Sequence, residues 1–195
     1  MTSSGRFAPF ALPLAAFFIL AAPTAFADEI GDAITSADAA YKAGELSNAK
    51  QSLDLASQLI AQKTAEALVA ALPKPLTGWK AGDPDTTTGG GFGFGGTQAS
   101  RSYTNPKGDS VDVSIATDSP FLTQLVSAMN NPQLAGLMGK VVTVAANQRA
   151  IQTKEGEINM LVANRYVVNV TGGGTADDKL NYAKAIDVTV LAKMK

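Results

Sequence analysis

Neither cysteine nor histidine occurs anywhere in the 195 residues. Without histidine there is no imidazole to shuttle protons near neutral pH, so Ser-His-Asp and Cys-His catalysis are excluded. The usual zinc, copper and haem sites, which lean on the same two residue types, are excluded with them. Without cysteine there is no disulfide, no thiol nucleophile and no residue to carry a lipoprotein lipid. What survives is carboxylate, lysine, serine or tyrosine chemistry, or a hard-cation site of oxygen ligands. Charge of one sign is also missing: 16 Lys plus Arg stand against 17 Asp plus Glu, and nothing in that balance suggests a nucleic-acid partner. No cofactor motif is implied either.

Within the first 27 residues, MTSSGR carries one positive charge at Arg6, and the run from Phe7 to Pro23 holds no charge. Ala25-Phe26-Ala27 then supplies the small-x-small pattern of a signal-peptidase site, so residues 1–27 read as a signal peptide cleaved between Ala27 and Asp28. The apolar run is broken by Pro9, Pro13 and Pro23 and falls at or below the roughly 20 residues that span a bilayer, so no stable membrane span is expected after cleavage. The expected location is the periplasm or beyond the cell.

Residues 28–72 contain no proline and carry apolar residues at helical spacing. Ile30, Ala33, Ile34, Ala37, Ala40 and Tyr41 form one stripe, and Ala49, Leu53, Ala56, Leu59, Ile60, Leu68 and Ala71 form another. Gly44-Glu45-Leu46 separates them, with Ser47 as the expected N-cap of the second, so the region predicts a helical hairpin. The spacing of glycine and alanines from Tyr41 to Ala56 resembles one tetratricopeptide unit, but no second copy follows and an array needs about three.

Leu72-Pro73-Lys74-Pro75 ends the helical pattern and opens a second region, 73–195. Its single tryptophan, Trp79, is expected as a core plug. A Gly-rich loop at 89–96 satisfies G-x-G-x-x-G in form. It follows Asp83-Pro84-Asp85 and leads into strand-like residues, whereas a dinucleotide fingerprint must leave a strand and open a helix. The expected reading is a loop whose Phe92 and Phe94 tuck against the domain or meet a partner.

Strand alternation follows over 97–104 and 111–115, joined by the turn Asn105-Pro106-Lys107-Gly108-Asp109. Asp118-Ser119-Pro120 is expected to cap a helix with Phe121, Leu122, Leu125, Val126 and Met129 on its buried stripe, and Leu134, Leu137 and Met138 suggest a further turn. Strands are predicted over 140–146, 149–153, 157–163 and 166–171, with connections short enough to make neighbours antiparallel. A last helix is expected from Ala176 through Leu191, with Asp177 and Asp178 in its first turn. The fold class is therefore α+β: an N-terminal helical hairpin, then an antiparallel sheet flanked by helices.

From Trp79 onward this order resembles the PsbP-like α/β/α sandwich. Leu76-Thr77-Gly78-Trp79, Asp118-Ser119-Pro120-Phe121-Leu122, Gln148-Arg149-Ala150 and Ala183-Lys184-Ala185-Ile186-Asp187 are also similar to segments of uncharacterised exported proteins of Gram-negative bacteria. The resemblance spans roughly residues 73 to 190 and leaves the hairpin unexplained. It implies an accessory or binding role by analogy of fold, and it lends no functional residue.

Among polar groups, Arg101, Arg149 and Arg165 fall in or beside three strands. They either converge on one sheet face, where they would suit a carboxylate or phosphate, or are ordinary surface arginines. Asp83 with Asp85 and Asp177 with Asp178 lack the ligand spacing of a calcium loop, so no metal is assigned. Met129, Met138 and Met160 read as core filler. No catalytic residue is assigned. The functional expectation is a non-enzymatic periplasmic accessory protein that docks on a larger envelope protein partner through the hairpin and the Gly/Phe loop. The alternatives are a small-ligand binding module with a pocket between the sheet and the Phe121 helix, and a hydrolase-like enzyme without His or Cys.

Overall fold

The computed structural model describes residues 28–88, 96–119, 121–144 and 147–194. The signal peptide expected at 1–27, the loop carrying Phe92 and Phe94, and Pro120 lie outside the described residues. The chain is α+β, with a helical pair leading into an antiparallel sheet covered by helices on both faces.

The first helix, α1 (Glu29–Lys42), has Glu29 and Asp32 in its first turn, where the helix dipole favours acids. It ends in a Schellman motif at Gly44, whose φ of 78° suits a residue without a side chain. There the Glu45 N–H donates to Ala40 O at 2.9 Å and the Gly44 N–H to Tyr41 O at 3.0 Å. Helix α2 (Leu46–Ala71) follows at once, with Glu45 and not Ser47 at its N-cap, because the motif leaves too little chain to delay the turn. At about 1.5 Å per residue its 26 residues run roughly 39 Å, and its two halves meet different partners. Ala49 and Ala56 pack on Ala33 and Ala37 of α1, while Leu68, Ala71 and Leu72 enter the main core of the sheet. The hairpin is thus anchored on the following domain by the C-terminal half of α2.

Strands β1 (Lys80–Ala81) and β2 (Asp85–Thr88) both pair with one edge of β3 (Thr97–Thr104). Next come β4 (Ser110–Thr117), α3 (Leu122–Asn130), α4 (Pro132–Met138), β5 (Lys140–Thr143), β6 (Arg149–Gln152), β7 (Ile158–Val162), β8 (Tyr166–Thr171), α5 (Ala176–Ala185) and α6 (Val188–Lys193). The sheet order is β1-β3-β4-β8-β7-β6-β5, with β2 beside β1 on β3 and every pairing antiparallel. The β3–β4 hairpin turns where predicted: Asn105 Oδ1 accepts from the N–H groups of Lys107 and Asp109, at 2.9 and 3.0 Å.

Side-chain alternation divides the sheet into two faces. One, packed under α2, α5 and α6, buries Tyr103, Val111, Val113, Ile115, Met160, Val168 and Val170. The other buries Ile151, Leu161 and Val167 under Leu125, Ala128 and Ala135 of α3 and α4. Trp79, expected as a core plug, is half-buried and packs against the main core from its edge, edge to face with Tyr182 at 5.3 Å, while Tyr103 stacks on Tyr182 at 4.4 Å. These tyrosines also staple the linker between α2 and β1. The Tyr103 hydroxyl donates to Pro73 O at 2.5 Å, and the Tyr182 hydroxyl accepts from the Leu76 N–H at 3.3 Å.

Several local expectations are corrected. Helix α3 begins at Leu122 with no side-chain cap, so Phe121 falls in the turn before it and is 64 % exposed instead of buried. The predicted last helix is two: Ile186 turns extended, and the Asp187 carboxylate starts α6 by accepting from the N–H groups of Thr189 and Val190 at 3.0 and 3.2 Å. Those bonds, led by the Thr189 hydroxyl, hold the Asp187 carboxyl below its ordinary pKa. Strand β5 stops at Thr143, short of the predicted 146. Within the two apolar stripes of the hairpin, Ile34, Tyr41, Leu53 and Ile60 are exposed.

Candidate functional site

The three arginines are not brought together. Arg101 sits on the α2 side of the sheet between Ala99 and Tyr103, and its Nε is buried with no hydrogen-bond partner among the described residues. Arg149 shares a face with Ile151, on the opposite side of the sheet, and is exposed at the start of β6. Arg165 closes the β7–β8 turn and lies over the Tyr166 ring, 5.7 Å from its centroid. Phe92 and Phe94 lie outside the described residues. Asp178 is engaged in the capping box of α5 with Thr175, and Asp83 and Asp85 are exposed at the edge of the sheet. Among the described residues no three acidic side chains gather where a cation could sit.

Two surfaces stand out instead, on the hairpin and between the sheet and the Phe121 helix, and the residues that form them were not singled out together in the sequence. The first is a flank of the helical hairpin. At about 100° per residue, Leu46, Leu53 and Ile60 repeat every seven positions and stay within about 40° of one another on α2, as Ile34 and Tyr41 do within about 20° on α1. Because the helices are antiparallel and meet through alanines, both sets turn to the same side, where these five side chains are 48–68 % exposed. The opposite groove carries Glu29, Asp32, Ser36 and Ser52 beside Leu55. Lys42–Asp38 and Lys50–Asp54 pairs, at 2.7 and 2.6 Å, are exposed on the same two helices.

The second surface is the face of the sheet that α3 and α4 cover only in part. Their cover reaches β6, β7 and β8 and stops, so that among the described residues no helix covers Gln98, Ser100, Ser102, Asp112 and Ser114 of β3 and β4. One cross-strand row records the change of character: Ile151, Asn159, Asn169, Ser114 and Ser100 are successive partners across β6, β7, β8, β4 and β3. Where the cover ends, a cleft of ≈ 220 Å³ opens between Phe121, Gln124, Leu125 and Met138 on the helical side and Asn159, Val167 and Asn169 on the sheet.

A buried lysine went unnoticed in the sequence as well. Lys179 of α5 is only 5 % exposed, its ammonium donating to Glu155 O at 3.0 Å in the β6–β7 turn. The Glu155 carboxyl is held below its ordinary pKa, first by a backbone N–H and then by the Thr153 hydroxyl. No protein-family model matches the chain, and neither a curated protein nor a solved structure is significantly similar to it.

Proposed function

We propose that the protein is a non-enzymatic accessory protein of the cell envelope, exported by its leader and docked on a larger envelope partner through the hairpin flank. The observation that carries this reading is the concentration of Ile34, Tyr41, Leu46, Leu53 and Ile60 on one side of α1 and α2. Together they expose on the order of 500 Å² of mostly apolar surface, taking roughly 200 Å² for a large side chain, and patches of that size on soluble proteins are commonly contact sites. At about 25 cal/mol per Å², covering the flank supplies roughly 12 kcal/mol, within the range of the cost of association. No described helix is long and apolar enough to cross a membrane. A PsbP-like arrangement of the sheet and helices, and with it an accessory role, is part of this proposal.

Deleting residues 28–72 is a poor test, since it removes Leu68, Ala71 and Leu72 from the main core. A photo-crosslinking residue at Leu53, compared with one at Leu55 on the opposite flank, keeps the fold intact. A discrete adduct in the envelope is expected from position 53 and not from 55, and it is lost in the Leu46→Glu, Leu53→Glu, Ile60→Glu triple variant while the melting temperature holds. Equal labelling from both flanks would reject the flank as the docking surface.

A second reading, a binding module for a small ligand, is favoured by the cleft between the sheet and α3.

A further inference from the structure

Resting on that second reading, we infer that the sheet-face cleft binds an uncharged peptide unit, one apolar side chain entering the cleft while its flanking amides pair with the carboxamides of Gln124, Asn159 and Asn169. Among the described residues those three side chains are the polar lining, and no ionisable group joins them. Hydrogen bonds nearby run elsewhere, from Ser127 Oγ to Thr123 O and from Gln148 Nε2 to Leu161 O, and none engages the three carboxamides among the described residues. A carboxamide offers the same donor and acceptor as a peptide group, so each can meet an amide of the ligand with both valences satisfied.

The rest of the lining is apolar. Leu125, Met138 and Val167 form the walls, and the cleft of ≈ 220 Å³ has the room of about seven waters, enough for one large side chain. Phe121, 64 % exposed, extends the apolar lining at its mouth. Beyond Asn169 the row continues through Ser114 to Ser100, so hydroxyls follow at about 4.8 Å intervals along the open strands for a peptide lying across them. Among the described residues the charged groups of this face stand outside the cleft: Arg149 is exposed at the start of β6, and Asp112, on the open strands, is already hydrogen-bonded by the Ser102 hydroxyl.

The test uses the exported protein and three probes, N-acetyl-leucinamide, N-acetyl-leucine and a methyl glucoside, with the side-chain amide resonances of Gln124, Asn159 and Asn169 as the readout. N-acetyl-leucinamide is expected to shift these resonances with a millimolar dissociation constant, reasonable for so small a probe. N-acetyl-leucine, which adds a carboxylate, should bind roughly tenfold more weakly, and the glucoside should leave the resonances in place. Asn169→Ala and, on the exposed helix, Gln124→Ala should each weaken leucinamide several-fold with unchanged melting temperature. Equal or tighter binding of the glucoside or the carboxylate would overturn the peptide assignment while keeping the cleft as a binding site. Silence to all three probes would overturn both.

Discussion

Replacing Tyr103 by Phe removes one oxygen and keeps the ring stacked on Tyr182 at 4.4 Å. The lost hydroxyl is the donor to Pro73 O, in a linker residue that is itself buried, so the carbonyl is left without its partner. At neutral pH that should cost about 1–3 kcal/mol. Burial also raises the Tyr103 phenol from 10.0 to about 12, and the Arg101 guanidinium offsets part of the effect. A raised folded-state pKa means the unfolded chain loses its proton first as pH climbs. The stability from this group is therefore complete below pH 10 and disappears as pH approaches 12. At about 1.36 kcal/mol per unit the wild type should lose at most 2–3 kcal/mol across that window through Tyr103 alone. The variant, having no phenol at that position, should not. Urea unfolding followed by fluorescence of Trp79, the single tryptophan, measures both proteins at pH 8, 10 and 11.5. The wild type should lead by about 1–3 kcal/mol at pH 8, and the lead should shrink steadily above pH 10. Taking the difference between the two proteins cancels lysine titration and general alkaline effects. Tyr182, also raised by burial, titrates in both proteins, and in the wild type its charge adds to the rise of the Tyr103 phenol, which works in the same direction as the expected shrinkage. A lead that stays constant with pH would refute the argument, because it would mean that the phenol ionises as readily in the fold as out of it.

Two further outcomes test the packing around the sheet. A methyl group at Gly156, whose φ is 78°, would stand 2.6 Å from Ala176 Cβ, whereas at Gly44, with the same φ, it would meet nothing within 4 Å. Gly44→Ala should therefore cost about 1–2 kcal/mol for left-handed backbone alone, and Gly156→Ala distinctly more, by chemical denaturation; equal costs would mean that the β6–β7 turn does not press on α5. Thr175→Ala breaks the capping box of α5, in which the Thr175 hydroxyl accepts from the Asp178 N–H at 3.1 Å and the Asp178 carboxylate accepts from the Thr175 N–H at 3.0 Å. It should cost about 1 kcal/mol and lower the melting temperature by about 2–4 °C, and an unchanged midpoint by calorimetry would count against the cap.

Local signals in the chain were strong where a residue type leaves the backbone few options. Gly44 sits at the hairpin bend and Asn105-Pro106-Lys107-Gly108-Asp109 makes the β3–β4 turn, while β8 spans Tyr166–Thr171 as its pattern suggests. Errors arose where periodicity identifies a stripe without saying what lies opposite. Leu53 and Ile60 have the spacing of buried residues, yet the buried residues of α1 are the alanines Ala33 and Ala37, which meet α2 along a narrower line and leave the leucine side open. Phe121 belongs to the same pattern as Leu122 and Leu125, but the turn before α3 carries it off the helix axis. The arginines illustrate the complementary problem. Parity along a strand assigns each to a face, but comparing faces between β3 and β6 requires the register through β4, β8 and β7, which only pairing supplies.

By itself, then, the amino-acid order determined the α+β class, the helical pair, the antiparallel meander and the chemistries closed to a chain without cysteine or histidine, because each follows from local geometry or plain composition. Tertiary structure alone decided that β4 lies beside β8 and that α3 and α4 cover only part of one sheet face. It also decided that three carboxamides from α3, β7 and β8 line one cleft. Those outcomes depend on which apolar surfaces far apart in the chain compete most effectively to leave water, a comparison that no local pattern contains.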